Sequence, residues 1–296
     1  MKSLVSRMSL KDWEGLLPEE NNEAYHKREQ ASSSQIKYMG KSPWHYKRIV
    51  IDGESEFSDD MDFGTLAHKV NLEGKFSELL VMPSSWETVA DQKKRGVKEP
   101  IKVEDQKLAF KEEHGDMIVS QSDYLKLEGM EQSFRADDVV QSLICDSNMV
   151  EQGFAYWDEN HEIECRFRPD IVNLEKGYLV DYKTAQSAQA HNFKWSIIKY
   201  GYQVSAAHYM AGLERLYPGR VKKFYFIVQE KKHPYACATY ELSSTDLMFG
   251  MNLRDAYLKK IKKHTKLDYW PGYTSEIRPI EVPDTGYDME ELLDEA

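Results

Sequence analysis

Asp170 and Asp181 lie in the stretch RFRPDIVNLEKGYLVDYKT, Arg166 to Thr184, which otherwise reads as buried strand through Ile171, Val172, Leu174, Tyr178, Leu179 and Val180. Aspartate is among the residues least suited to strands, so a hairpin with one on each arm needs a reason. A two-residue loop at Glu175-Lys176, closed by Leu174 and Gly177, sets Asp170 opposite Asp181. Facing side chains in an antiparallel ladder stand about 5 Å apart at Cβ. Two carboxylates that close resist joint ionisation unless a cation lies between them. Strand side chains repeat every second residue, so Lys183 shares the face of Asp181.

The preceding hairpin supplies a third acid. With Asp158-Glu159-Asn160-His161 as a four-residue loop closed by Trp157 and Glu162, Glu151 falls opposite Arg168 and close to Asp170. Glu164 shares that face but lies roughly 20 Å along the strand. Carboxylate oxygens suit Mg²⁺ or Mn²⁺. Two such ions activate water and stabilise a leaving oxygen in phosphodiester hydrolysis. Lys183 would orient that water or steady developing charge. The competing reading is a salt-bridged surface on which Arg166, Arg168 and Lys183 neutralise the acids.

The 296 residues are 41% hydrophobic and 30% charged, enough for one large domain or two small ones with a core. The net charge of -11 is the opposite of a nucleic-acid binder's usual basic footprint. Basic runs are nonetheless present at Gln92–Lys98, Arg220–Lys223, Glu230–His233 and Lys259–Lys266. Cys145, Cys165 and Cys237 are scattered without CxxC spacing, which argues for a reducing cytoplasm and against a zinc ribbon or iron–sulfur cluster. No apolar run reaches membrane-span length, and the first residues carry no signal-peptide pattern. A phosphate-binding GxxxxGK[ST] loop and a GxGxxG fingerprint are both missing, so the sequence offers ATP and dinucleotides no handle.

The elements that must position these groups follow from periodicity and punctuation. Residues 1–30 read as a polar lead-in and 276–296 as an acidic tail, leaving 31–275 as the folded domain. A helix capped by Ser33 or Ser34 is interrupted before Pro43, and Asp52–Asp62 reads as an acidic loop. Helices are expected around Leu66–Leu72 and from Asp123 to Val150. Strands GFAYW, EIECRFRPDIVNL and GYLVDYK come next. One long helix then runs from Trp195 toward Pro218-Gly219, before two strands and a last helix. The order predicts an α/β (α+β) domain built on a mixed sheet flanked by helices.

Pro169-Asp170 followed by Asp181-Tyr182-Lys183 resembles the PD-(D/E)xK nuclease motif. SSSQIKYMGKSPWHYKR resembles the serine-rich first helix of RecB-like nucleases, FGTLAH their Gly-x-x-x-His element, and YGYQVSAAHY the helix after their catalytic lysine. Together these resemble the RecE family, the exonuclease VIII type of phage and prophage recombination nuclease, related to the lambda exonuclease. The resemblance implies metal binding by His68, Glu151, Asp170, Asp181 and the Tyr182 carbonyl, catalysis by Lys183, and two Mg²⁺ or Mn²⁺ ions. It makes Arg166, Arg168, Gln203 and Tyr209 candidate DNA contacts. Ser205 departs from the pattern, since the family carries glutamine four residues before the tyrosine. Also implied are 5′-to-3′ digestion of double-stranded DNA ends, a trimeric or tetrameric ring, and a RecT-like single-strand annealing partner. A structure-specific endonuclease and a non-catalytic DNA- or protein-binding module are the alternatives.

Overall fold

The computed structural model describes residues 14–19, 22–54, 59–115, 117–273, 276–277 and 279–280. Most of the acidic tail, the start of the lead-in and part of the Asp52–Asp62 segment lie outside them. The strands are β1 (Gly15–Leu16), β2 (Leu80–Val81), β3 (Ile118–Val119), β4 (Met149–Val150) and β5 (Phe154–Asp158). They continue with β6 (Ile163–Phe167), β7 (Ile171–Asn173), β8 (Tyr178–Ala185), β9 (Lys223–Glu230) and β10 (Cys237–Glu241). Short helices α1 (Asn22–His26), α2 (Ser33–Ile36), α3 (Tyr38–Lys41) and α4 (Pro43–Tyr46) precede α5 (Asp59–Asn71). Then come α6 (Val89–Lys94), α7 (Val103–His114), α8 (Gln121–Ala136) and α9 (Asp138–Leu143). The chain closes with α10 (Ala190–Tyr200), α11 (Tyr202–Leu216) and α12 (Ser244–Leu267).

β8 is buried on both faces along its first five residues, so apolar side chains surround Asp181 in the sequence YLVDYKTA. The sheet order is β10-β9-β8-β7-β4, parallel between β8 and β9 and antiparallel elsewhere. On one face Leu179, Phe224, Phe226 and Val228 pack against α10 and α11 through Phe193, Ala206 and Leu213. On the other, Val180, Tyr182 and Ile227 pack against α5 and α8 through Ala67, Val70, Leu127 and Met130. This is the expected mixed α/β architecture. Among the described residues no helix is long and apolar enough to cross a membrane.

Several boundaries differ from the sequence expectation for identifiable reasons. EIECRFRPDIVNL is two strands in two sheets: β6 pairs with β5, while β7 pairs with β8. The break falls at Arg168-Pro169, where proline has no N–H to donate to a ladder. The long helix is likewise two, because Gly201 adopts φ 63, left-handed, between α10 and α11. Ser32, not Ser33 or Ser34, caps α2 and forms a capping box with Gln35. The region expected as one helix from Asp123 to Val150 is α8 and α9 followed by β4. Part of the lead-in also packs: β1 pairs with β5, and Leu17 and Tyr25 form a cluster with Ala155.

Candidate active site

The β7–β8 register is Ile171↔Val180, Val172↔Leu179 and Asn173↔Tyr178, whose continuation sets Asp170 against Asp181. The loop is four residues rather than two. Asn173 closes it, its carbonyl accepting from Gly177 N and its side-chain oxygen from Lys176 N. Lengthening a loop by one residue on each arm leaves the register unchanged, so the pairing of the acids survives. Asp170 and Asp181 are only 7% and 3% exposed. The Tyr182 N–H donates to Asp170 Oδ2, fixing that carboxylate over the strand end.

Glu151 arrives by the expected hairpin, in a register shifted by two residues. The β5–β6 ladder runs Phe154↔Phe167 to Asp158↔Ile163, two residues out from the predicted pairing. Glu151 is not opposite Arg168. It follows β4, which pairs with β7, and its N–H donates to the Asp170 carbonyl at 3.0 Å. Its backbone is left-handed at φ 50, a conformation that costs an L-residue about 1–2 kcal/mol. Arg168, packed on the Tyr25 ring at 4.2 Å, sits 3.4 Å from Glu151 Oε2.

His68 comes from α5, which buries Ala67 and Val70 beneath the sheet. Asn71, one turn later, donates to the Tyr182 hydroxyl (2.9 Å) and to Gln229 Oε1 (2.8 Å), which ties the helix to β8 and β9. His68 Nδ1 then lies 3.3 Å from Glu151 Oε1 and 3.7 Å from Asp170 Oδ1, with Nε2 3.1 Å from the Tyr182 carbonyl. Ligand atoms of His68, Glu151 and Asp170 all fall within 4.8 Å of one another. Both ring nitrogens face oxygen acceptors, which is the geometry of an imidazolium. Burial opposes that charge, but Asp170 and the hydrogen bond His68 donates to Glu151 outweigh it and raise the His68 pKa.

Beside this cluster, Lys183 Nζ pairs with Asp181 Oδ2 at 2.7 Å, an ion pair without hydrogen-bond alignment. It also donates to the Tyr182 carbonyl at 3.2 Å. Burial disfavours the ammonium, yet Asp181 and Asp170 reverse the balance and raise the Lys183 pKa. Burial likewise raises Asp170 and Asp181, against the pull of His68 and Lys183 on the first and of Lys183 on the second. The carboxylates are thus desolvated and mutually repelling, and the donor set combines imidazole with carboxylate oxygen. These residues fit a hard divalent cation, held by His68, Glu151 and Asp170 with Asp181 alongside.

The remaining candidates divide. Tyr209 reaches the site: its phenol accepts from Ser33 Oγ at 3.5 Å, and burial followed by the Asp181 charge raises its pKa. Gln203 is buried in the same helix, as is Ser205, the residue standing where glutamine was expected. Arg166 cannot face DNA. It is 1% exposed, stacks on Tyr25 at 4.6 Å and donates to the Gln30 carbonyl. Inward burial on β6, not charge, decided its role. Sequence reasoning missed Tyr202, whose ring lies 5.3 Å from Lys183 Nζ, and Lys37, 5.9 Å from the same ring. Burial and then the Lys183 charge bring Lys37 down to about 8. Lys37 follows the cap serine of the noted Ser-rich segment, the one signal that could have found it.

A mixed sheet carrying Asp170, Asp181 and Lys183 at one strand end defines the PD-(D/E)xK nuclease fold. The chain belongs to the family described as a PDDEXK-like domain of unknown function (DUF3799), which matches residues 32–281. A crystal structure described as "Putative exonuclease" from Eubacterium rectale superposes with a TM-score of 0.55 at 13% identity. That similarity covers 93% of this chain and 98% of the other, and it concerns the fold. No curated protein matches the sequence.

Proposed function

We propose that the protein is a divalent-metal-dependent, ATP-independent DNA exonuclease that digests one strand of duplex ends 5′ to 3′ and leaves 3′ single strands. The observation that carries the reading is the convergence of His68, Glu151 and Asp170 donor atoms within 4.8 Å, beside the Asp181–Lys183 pair. Mg²⁺ or Mn²⁺ held there would supply Lewis-acid polarisation of the scissile phosphate and a water of lowered pKa. Lys183, paired with Asp181, is placed to orient the attacking water or to stabilise negative charge as it develops. Tyr182, through its carbonyl, holds both His68 and Lys183 in place. The 5′-to-3′ polarity, a second ion, a ring-shaped oligomer, an annealing partner of RecT type and a cytoplasmic setting rest on the resemblance of the motifs to RecE-type nucleases.

Linear and closed-circular duplex, digested with Mg²⁺ and no ATP, separate the readings. An exonuclease spares the circle, and cleavage of the circle would favour the endonuclease. Lys183→Ala leaves every carboxylate in place, so single-turnover cleavage at saturating Mg²⁺ should slow by orders of magnitude while DNA affinity largely survives. A near-wild-type rate would remove Lys183 from the chemistry.

A further inference from the structure

Between Asp181 and Glu214 the chain contains no Asp or Glu, although its net charge is -11. α10 lies wholly within that window. Its outer side leaves Trp195 63% exposed, Ile198 62% and Tyr200 49%. Rings and amines lie side by side. Lys183 Nζ lies 5.3 Å from the Tyr202 ring, and Tyr202 stacks on Tyr200 at 5.5 Å and 27°. Lys199 lies 5.1 Å from the Tyr200 ring, and Lys194 5.8 Å from Trp195. The left-handed Gly201 makes the turn that lets two tyrosines on successive helices stack. A ladder of cations and π faces therefore runs from the candidate catalytic lysine through Tyr202 and Tyr200 to Lys199, and Lys194 with Trp195 adds a second pair on α10.

The chemistry of the ladder selects its occupant. A second copy of this acidic chain could pair with the lysines but would not need flat rings between them. An apolar helix would need the rings but not the amines. A single nucleic-acid strand needs both, phosphates on ammonium groups and unpaired bases on aromatic faces. A duplex keeps its bases stacked within itself. We propose that the outer face of α10 binds single-stranded DNA next to the nuclease centre, with bases stacked on Trp195 and Tyr200 and phosphates held by Lys194 and Lys199. The inference rests on the nuclease reading for its place in the reaction, but binding can be measured without cleavage.

The test uses fluorescence anisotropy in EDTA with two labelled probes, a 15-mer of deoxythymidine and an abasic 15-mer carrying the same phosphates. The wild type should prefer the thymidine probe. The Trp195→Ala/Tyr200→Ala double variant should bind it about tenfold or more weakly, with abasic binding and thermal melting unchanged. Lys194→Gln/Lys199→Gln should weaken both probes and flatten the salt dependence. Equal thymidine affinity in wild type and aromatic variant would overturn the proposal. So would unchanged binding accompanied by loss of self-association in sedimentation velocity, which would assign the face to a second copy. Digestion of duplex with Mg²⁺ is scored separately: a protein that binds thymidine through these rings yet cuts nothing would sink the nuclease reading alone.

Discussion

Replacing Glu151 by glycine should abolish cleavage and at the same time leave the protein more stable than replacing it by alanine. Glu151 holds φ 50, where a Cβ crowds the following carbonyl. Both variants lose the carboxylate, its contact with His68 and its ion pair with Arg168, so those losses cancel between them. What differs is the backbone. Alanine keeps strain of about 1–2 kcal/mol, and glycine sheds it. Glycine's freer unfolded chain returns about 0.5–1 kcal/mol of that. Taking the midpoints, the net is about 0.75 kcal/mol in favour of glycine, a melting difference of about 1.5–3 °C for a domain of this size. Differential scanning calorimetry in EDTA reads the stability, and Mg²⁺-dependent digestion of linear duplex reads the activity. If the glycine variant melts at or below the alanine variant, the left-handed turn is not holding Glu151 under strain. If either variant cuts at the wild-type rate, Glu151 is not a ligand.

Metal-free stability should fall as pH rises from about 4 to above 6.5. His68, raised by its carboxylate neighbours, stabilises fully below its ordinary value of 6.5 and loses that contribution as pH climbs through its folded pKa. Asp170 and Asp181, raised first by burial, destabilise once ionised, and the penalty fades as pH falls through their folded values toward 3.8. Urea midpoints at pH 5 and 8 should show the slope, with Mg²⁺ reducing it and Asp181→Asn flattening it; a slope unchanged by both would refute the assignment. Asp158→Ala should cost about 3–5 kcal/mol by leaving Arg254 buried without its carboxylate, yet cleavage per folded molecule should persist. Equal melting of variant and wild type would show that the pair contributes little.

The sequence by itself determined the pairing of Asp170 with Asp181 and the company of Lys183. Those depend on a two-residue period and a short turn, which are local, and on a register that a symmetric change of loop length does not disturb. The resemblance of the chain's motifs to RecB-like nucleases pointed to His68 and Tyr209. Tertiary structure decided the rest. Asp158 reads as a loop residue, but Arg254, 96 residues away, holds it in the buried end of β5, and the hairpin register lies two residues from the expected one. Glu151 reached Asp170 through the β4–β7 continuation of that hairpin, in a register two residues away from the expected one. Arg166 turned inward because β6 leaves the main sheet at Pro169, and Lys37 reached the Tyr202 ring because α2 packs on α11. Each of these depends on contacts between residues far apart in the chain. Local propensity carries no information about such contacts, because their energy exists only once the elements have packed.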